Sequence, residues 1–176
     1  GTVVPPEDSK SSALNGAIWG GGVFVYVPPG VAVDAPLQPD SGSSGGLRGP
    51  FERTLIVAEE GSSVHYVDGC TAPVYSGDLL RSPVVEVVVK ERARVRYTSL
   101  QNWSNPVQDV RNGGAAVYGG GTMLWLNCHL GGKVSVARPT LDLRGPGAQG
   151  QILALALAGP GQHKITGGRS IHAAPN

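Results

Sequence analysis

The sequence predicts an all-β chain. Three observations carry the prediction: the density of glycine and proline, Val-rich segments of strand length, and the short turns between them. Of 176 residues 27 are Gly and 14 are Pro, enough to interrupt regular hydrogen bonding and exclude long helices. β-branched side chains lose little freedom on a pleated surface, so the Val-rich runs favour extended structure. With 40% of residues hydrophobic and 15% charged, the chain is not compositionally disordered, and its length suits one domain with one core.

Taken in order, Val23 to Val27 ends at Pro28-Pro29-Gly30, Thr54 to Ala58 ends at Glu59-Glu60-Gly61, and Val64 to Val67 ends at Asp68-Gly69. Further strands are expected at Val84 to Lys90, Ala93 to Leu100, Thr122 to Asn127, Lys133 to Ala137 and Gln151 to Ala158. Only Ser11 to Trp19 and Gln151 to Ala158 could be short helices. In the second, Leu and Ala alternate from Ile152 to Ala158 with period two, which suits a strand.

An antiparallel sandwich and a solenoid of stacked coils both fit this pattern. The solenoid is favoured because strand and turn motifs recur roughly every 30 residues and most turns lack Asn-Gly or Asp-Gly hairpin pairs. Val85, Val87, Val89, Val95, Leu55 and Val57 are expected to point into the stack. The Ser- and Gly-rich stretch Gln38 to Pro50 has almost no apolar content and is expected to be a flexible loop.

The formal charge of +1 predicts no global attraction to nucleic acid or to a membrane surface. Two cysteines, Cys70 and Cys128, are too few for a disulfide framework, and no apolar stretch approaches the roughly 20 residues of a membrane span. The first residue is Gly rather than Met, which predicts a processed or excised chain.

Asn15 to Asp34, Phe51 to Pro73 with FERTLI and GCTAP, Val84 to Trp103 ending in QNW, and Gln162 to Asn176 together resemble the SufB core domain of the iron–sulfur cluster assembly proteins. The stretch Ile171-His172-Ala173-Ala174-Pro175 is also similar to the paralogous SufD. The resemblance implies a right-handed parallel β-helix, one core domain over residues 1–176 without the family's flanking helical regions, and a cytoplasmic location. It further implies a SufC-type ATPase and a SufD-like paralogue as partners. A homodimer is expected for this core, and without the helical flank no ATPase docking.

In the family the Cys of the GCTAP motif, here Cys70, is implicated in receiving or relaying persulfide sulfur. That chemistry needs a thiolate. A buried structural cysteine is the alternative for a lone Cys on an apolar strand. Gln101 and Trp103 share one strand face by the period-two rule, with Asn102 opposite. Residues similar to them line the family's interior sulfur route, while core filling by Trp103 and backbone satisfaction by Gln101 compete with that role. Arg53 is a further interior candidate, and a surface pair with Glu52 or Glu86 explains it as well. The nascent iron–sulfur cluster needs thiolate or imidazole ligands. His172 matches the family's terminal His and, with Cys70, is the candidate ligand.

Three departures stand out. Leu141 occupies the position of a family Cys and cannot bind iron; the stretch 38–50 lacks the usual aromatic and Arg/Asn residues; and Asn112-Gly113-Gly114 replaces a Lys-Arg pair. Cys128 and His129, adjacent on a strand, point to opposite faces and read as structural. Lys90, Arg92, Arg94 and Arg96 give one strand a cationic face, which Glu59, Glu60 or Glu86 could neutralise. No phosphate loop, paired-Cys zinc motif or Ser/His/Asp elbow is present. The resulting order of readings is a SufB-like scaffold accepting sulfur, a SufD-like structural subunit without chemistry, and an unrelated solenoid enzyme, for which the Asp residues are too scattered.

Overall fold

The computed structural model describes residues 2–39, 51–71 and 77–175, with only the backbone of Cys70 and Thr71. Residues 40–50 of the expected loop lie outside the described residues. After a 3-10 turn at Pro6–Asp8 and helix α1 (Lys10–Ile18), the chain runs through β1 (Gly22–Val27), β2 (Arg53–Ala58), β3 (Ser63–Thr71), β4 (Leu79–Arg81), β5 (Val84–Val89) and β6 (Arg94–Asn102). It continues as β7 (Val107–Val117), β8 (Thr122–His129), β9 (Val134–Ala137), β10 (Thr140–Leu143), β11 (Gln149–Ala156), β12 (His163–Thr166) and β13 (Arg169–His172).

The fold is a parallel β-solenoid of about 5 turns, with 53% strand and 8% helix. Among the described residues every strand pairing is parallel, and three ladders form the walls. Sheet A stacks β1, β2, β5, the second half of β7, β10 and β13. Sheet B stacks β3, β6, β8 and β11, and sheet C stacks β4, the first half of β7, β9 and β12. Arg53 lies beside Val84 and Val84 beside Asn112, so one coil takes about 30 residues, the spacing of the sequence motifs. The turn from sheet A to sheet B needs a left-handed residue on every coil. Gly30, Gly61, Gly120 and Gly147 supply it, and Arg92 (φ 56°) is the one non-glycine in that row.

The core is built from inward rows. Val85, Val87, Val89 and Val95 are buried as expected. Leu55 and Val57 are not core residues: they are only half-buried, and Thr54, Ile56 and Ala58 face inward in their place. β2 is thus shifted by one position from the expected parity, which the continuous apolar run Thr54 to Ala58 could not decide. Strand β3 also runs on through Asp68-Gly69, where a turn was expected, so Cys70 lies within the strand.

The N-terminal segment covers the outer face of sheet A where β2, β5 and the second half of β7 begin. Ser9 caps α1 in a reciprocal capping box with Ser12, and Val4, Ser12 and Asn15 are buried against the sheet. Arg53 and Glu86 form the clamp. Their Nε–Oε2 distance is 3.1 Å, Val3 and Val4 donate backbone N–H bonds to Glu86 Oε1 at 3.1 and 2.9 Å, and Arg53 donates to Asn15 Oδ1 and the Val4 carbonyl. Burial pushes the Glu86 carboxyl up, but the bonds from Val4 and Arg53 outweigh it and hold its pKa below the usual value. A depressed carboxylate stabilises the fold above its unfolded pKa, and that contribution disappears as pH falls through the folded value. Arg53→Met should therefore cost about 2 kcal/mol, because Glu86 loses a charge-assisted donor while Val3 and Val4 still donate to it. Limited proteolysis should show residues 2–18 cut first.

Candidate functional site

Along sheet B the inward rows change character from one end of the strands to the other. The row Val64, Val95, Met123 is apolar, and the next is an aromatic stack of Tyr66, Tyr97 and Trp125, with ring centroids 6.1 and 4.6 Å apart. The next two rows are polar: Asp68, Ser99, Asn127, then the register positions of Cys70, Gln101 and His129. Sheet C faces these rows with its own polar line, in which Arg81, Asp109, Ser135 and Lys164 occupy successive coils and Arg111 follows Asp109 along β7. The solenoid interior thus divides into an apolar half and a polar chamber.

A network ties the chamber walls together. Tyr97 Oη donates to Asp68 Oδ2 at 2.8 Å, Arg111 Nη1 donates to the same oxygen, and Arg111 Nε lies 3.5 Å from Asp109 Oδ2. Burial works against the Arg111 charge, but Asp109 and Asp68 outweigh it and hold the guanidinium firmly protonated. Burial, reinforced by Asp68, raises the Tyr97 phenol well above its ordinary value, so it stays a hydrogen-bond donor. Gln101 Nε2 donates to the Asp68 carbonyl at 2.9 Å and to Ser99 Oγ at 3.1 Å. Lys164 Nζ closes one end by donating to the carbonyls of Gly131 and Gly132 and to Ser135 Oγ. The Arg81 guanidinium lies 4.0 Å from the Trp103 ring centre and pairs with Glu52 at 2.5 Å.

Several buried groups of this chamber have no partner among the described residues: Gln101 Oε1, Trp103 Nε1, Asp109 Oδ1, Asn127 Nδ2 and both His129 ring nitrogens. Each such group costs about 1–3 kcal/mol while it stays unpaired, so the chamber presents donors and acceptors to a small polar species. His129 is 1% exposed, and burial, with Arg111 beside it, pulls its pKa down to about 4. It is a neutral imidazole at pH 7. Since the unfolded histidine binds its proton near pH 6.5 and the folded one only near 4, stability is lost as pH falls through that window. The loss should reach about 3 kcal/mol between pH 6.5 and 4, and urea midpoints of His129→Gln should lack that part of the slope.

Gln101 and Trp103 are both buried and Asn102 is exposed, as the period-two reading expected. Cys70 takes the register position beside Gln101. Arg53 stands elsewhere, on the outer face of sheet A under the N-terminal segment. His172 is exposed on β13, laddered with Leu143 in sheet A. The strand from Arg94 to Gln101 spans about 23 Å, and it separates the corner of sheet A that holds Leu143 and His172 from the end of sheet B that holds Cys70. The structure does not bring Cys70 and His172 together within one chain. Among the described residues no group of three His, Cys, Asp or Glu side chains could hold a metal ion. Cys128 is half-buried and His129 buried, on opposite faces as expected. The sequence reading set His129 aside with Cys128, yet the alternation Met123, Trp125, Asn127, His129 places it in the inward row. No helix among the described residues is long and apolar enough to cross a membrane.

A parallel β-solenoid with a polar interior chamber on the cysteine-bearing sheet defines the class of protein. The family model for the SUF system FeS cluster assembly, SufBD core domain, matches residues 41–176. The chain is 49% identical over 175 residues to an iron-sulfur cluster assembly SufBD family protein of Staphylococcus saprophyticus, covering 99% of this chain and 38% of that protein. It is 47% identical over 174 residues to the iron-sulfur cluster assembly protein SufB of Bacillus subtilis, covering 99% and 37%. A SufBD family protein of Staphylococcus aureus is 48% identical over 99% of this chain and 38% of its own length. The chain belongs to the SufBD family of iron–sulfur cluster assembly proteins, and it spans about two fifths of the length of these relatives.

Proposed function

We propose that this chain is the sulfur-handling core of a SUF scaffold subunit, with Cys70 as the acceptor and the chamber lined by Gln101 and Trp103 as the path of the sulfur. The observation that carries the reading is the shared ladder position of Cys70, Gln101 and His129 at the polar end of sheet B. In the transfer, the Cys70 thiolate attacks the terminal sulfur of a donor persulfide. A new S–S bond forms at Cys70, the donor's S–S bond breaks, and the donor leaves as a thiolate, so no net oxidation occurs. Gln101 Oε1 and Trp103 Nε1 then offer an acceptor and a donor to the terminal S–H in a space with little bulk water.

His172, exposed and distant, serves in this reading as a ligand toward a cluster completed by groups outside this chain, the cluster being the product that is built. A SufD-like paralogue and a SufC-type ATPase are the partners that belong to it, and self-association of the core is its minimal form. Incubation with a cysteine desulfurase and its sulfur carrier should place +32 Da adducts on Cys70 and few on Cys128, read by peptide mass spectrometry. Equal labelling of both thiols would mean simple exposure. Labelling of neither would favour a structural, SufD-like subunit.

A further inference from the structure

The outer face of sheet B carries a feature that the sulfur chemistry does not use. Arg94 and Arg96 are exposed on β6, two positions and therefore about 6.6 Å apart on the same face. The cationic strand was expected to be neutralised by neighbouring glutamates. Arg92 does pair with Glu60, Lys90 lies over the Tyr118 ring, and Glu86 is taken by Arg53. Arg94 and Arg96 make no ion pair among the described residues. They line an open cavity of about 310 Å³ together with Ser63, His65, Thr122 and Leu124, and no carboxylate lines it.

The ladders arrange these groups in two rows. Ser63, Arg94 and Thr122 stand side by side on three adjacent coils, and His65, Arg96 and Leu124 form the parallel row. His65 is held in place by Thr98, with Nε2 and Oγ1 3.0 Å apart. Its pKa is lowered by burial and by the neighbouring Arg96. Each row carries a guanidinium fork at its centre, and forks match phosphate oxygens in pairs. A single carboxylate has only two oxygens to offer two such rows, whereas two linked phosphoryl groups present an oxyanion to each.

We propose that this face is a binding site for a diphosphate-bearing small molecule, one phosphoryl group on the row of Ser63, Arg94 and Thr122 and the other on the row of His65 and Arg96, with Leu124 against its apolar part. The site is independent of Cys70 and of the interior chamber. Inorganic pyrophosphate, inorganic phosphate and a glutamate-rich peptide would each be titrated into the protein, with the ring signals of His65, His163 and His172 followed by NMR. Pyrophosphate should bind saturably, tighter than phosphate, and shift His65 alone. Arg94→Gln/Arg96→Gln should weaken it at least about tenfold, while Arg144→Gln should not. Because both arginines are exposed, the thermal transition of the double variant should stay unchanged, which separates lost binding from lost folding. Absence of saturable pyrophosphate binding, binding unaffected by the double variant, or binding of the peptide in preference to pyrophosphate would each overturn the proposal.

Discussion

Arg111→Met is expected to remove about 3–5 kcal/mol of stability, the largest effect of any single change considered, because it leaves buried carboxylate charge behind. Asp109 is 0% exposed, its Oδ2 has Arg111 as ion-pair partner, and its Oδ1 has no partner among the described residues. Asp68 and Tyr97 lose a donor at the same time. Removing both charges should be far less harmful than removing one. Arg111→Met combined with Asp109→Leu is therefore expected to recover more than about 1 kcal/mol relative to the sum of the single changes. Denaturation of the four proteins in urea gives the coupling. Strict additivity would mean that the two groups do not act as a pair.

The second large effect is expected at Gly113, in the middle of the longest strand. A Cβ placed there would lie 2.7 and 2.8 Å from two carbons of the Trp125 ring, which is fully buried and hydrogen-bonded through Nε1 to Asn127. Trp125 also packs on Tyr97, so it has no free direction in which to move. Gly113→Val should cost about 3 kcal/mol, the upper end of what overpacking a close-packed core costs. In a Trp125→Leu background the same change should cost less, since the smaller side chain leaves room for the new methyl groups. Equal costs in the two backgrounds would show that the glycine serves its backbone and not the indole.

These two positions also show where the sequence could and could not be read. The Val-rich strands and the turns at Gly30 and Gly61 were legible, because strand composition and turn chemistry are local properties. Strand β7 was not: Asn112-Gly113-Gly114 has the composition of a turn, and only the approach of Trp125 from the next coil explains glycine inside a strand. β10, β12 and β13 are four residues each and carry too little pattern to register alone. Their backbone bonds are made to coils 26 to 29 residues away in the sequence. Within the candidate site, Gln101 and Trp103 came from the family resemblance, and alternation along the chain put them on one face. Asp109, Arg111, His129 and Lys164 were not, because they meet only when sheets B and C close around one interior. Arg53 illustrates the converse, an interior candidate whose alternative reading, a pair with Glu86, is the one found, with Asn15 and Val4 as its further partners in the docking of the N-terminal segment.

The central claim is that Cys70 and the chamber beside it take part in building a cluster. Anaerobic reconstitution with ferrous iron and sulfide in the presence of a SufD-like paralogue that completes the site, followed by visible absorption, tests it most directly when the unaltered chain is compared with Cys70→Ala. A sulfur-to-iron charge-transfer band should develop in the unaltered chain and be largely lost in Cys70→Ala, with both proteins giving the same far-ultraviolet circular dichroism. Equal absorption from the two proteins, or none from either, would contradict the account.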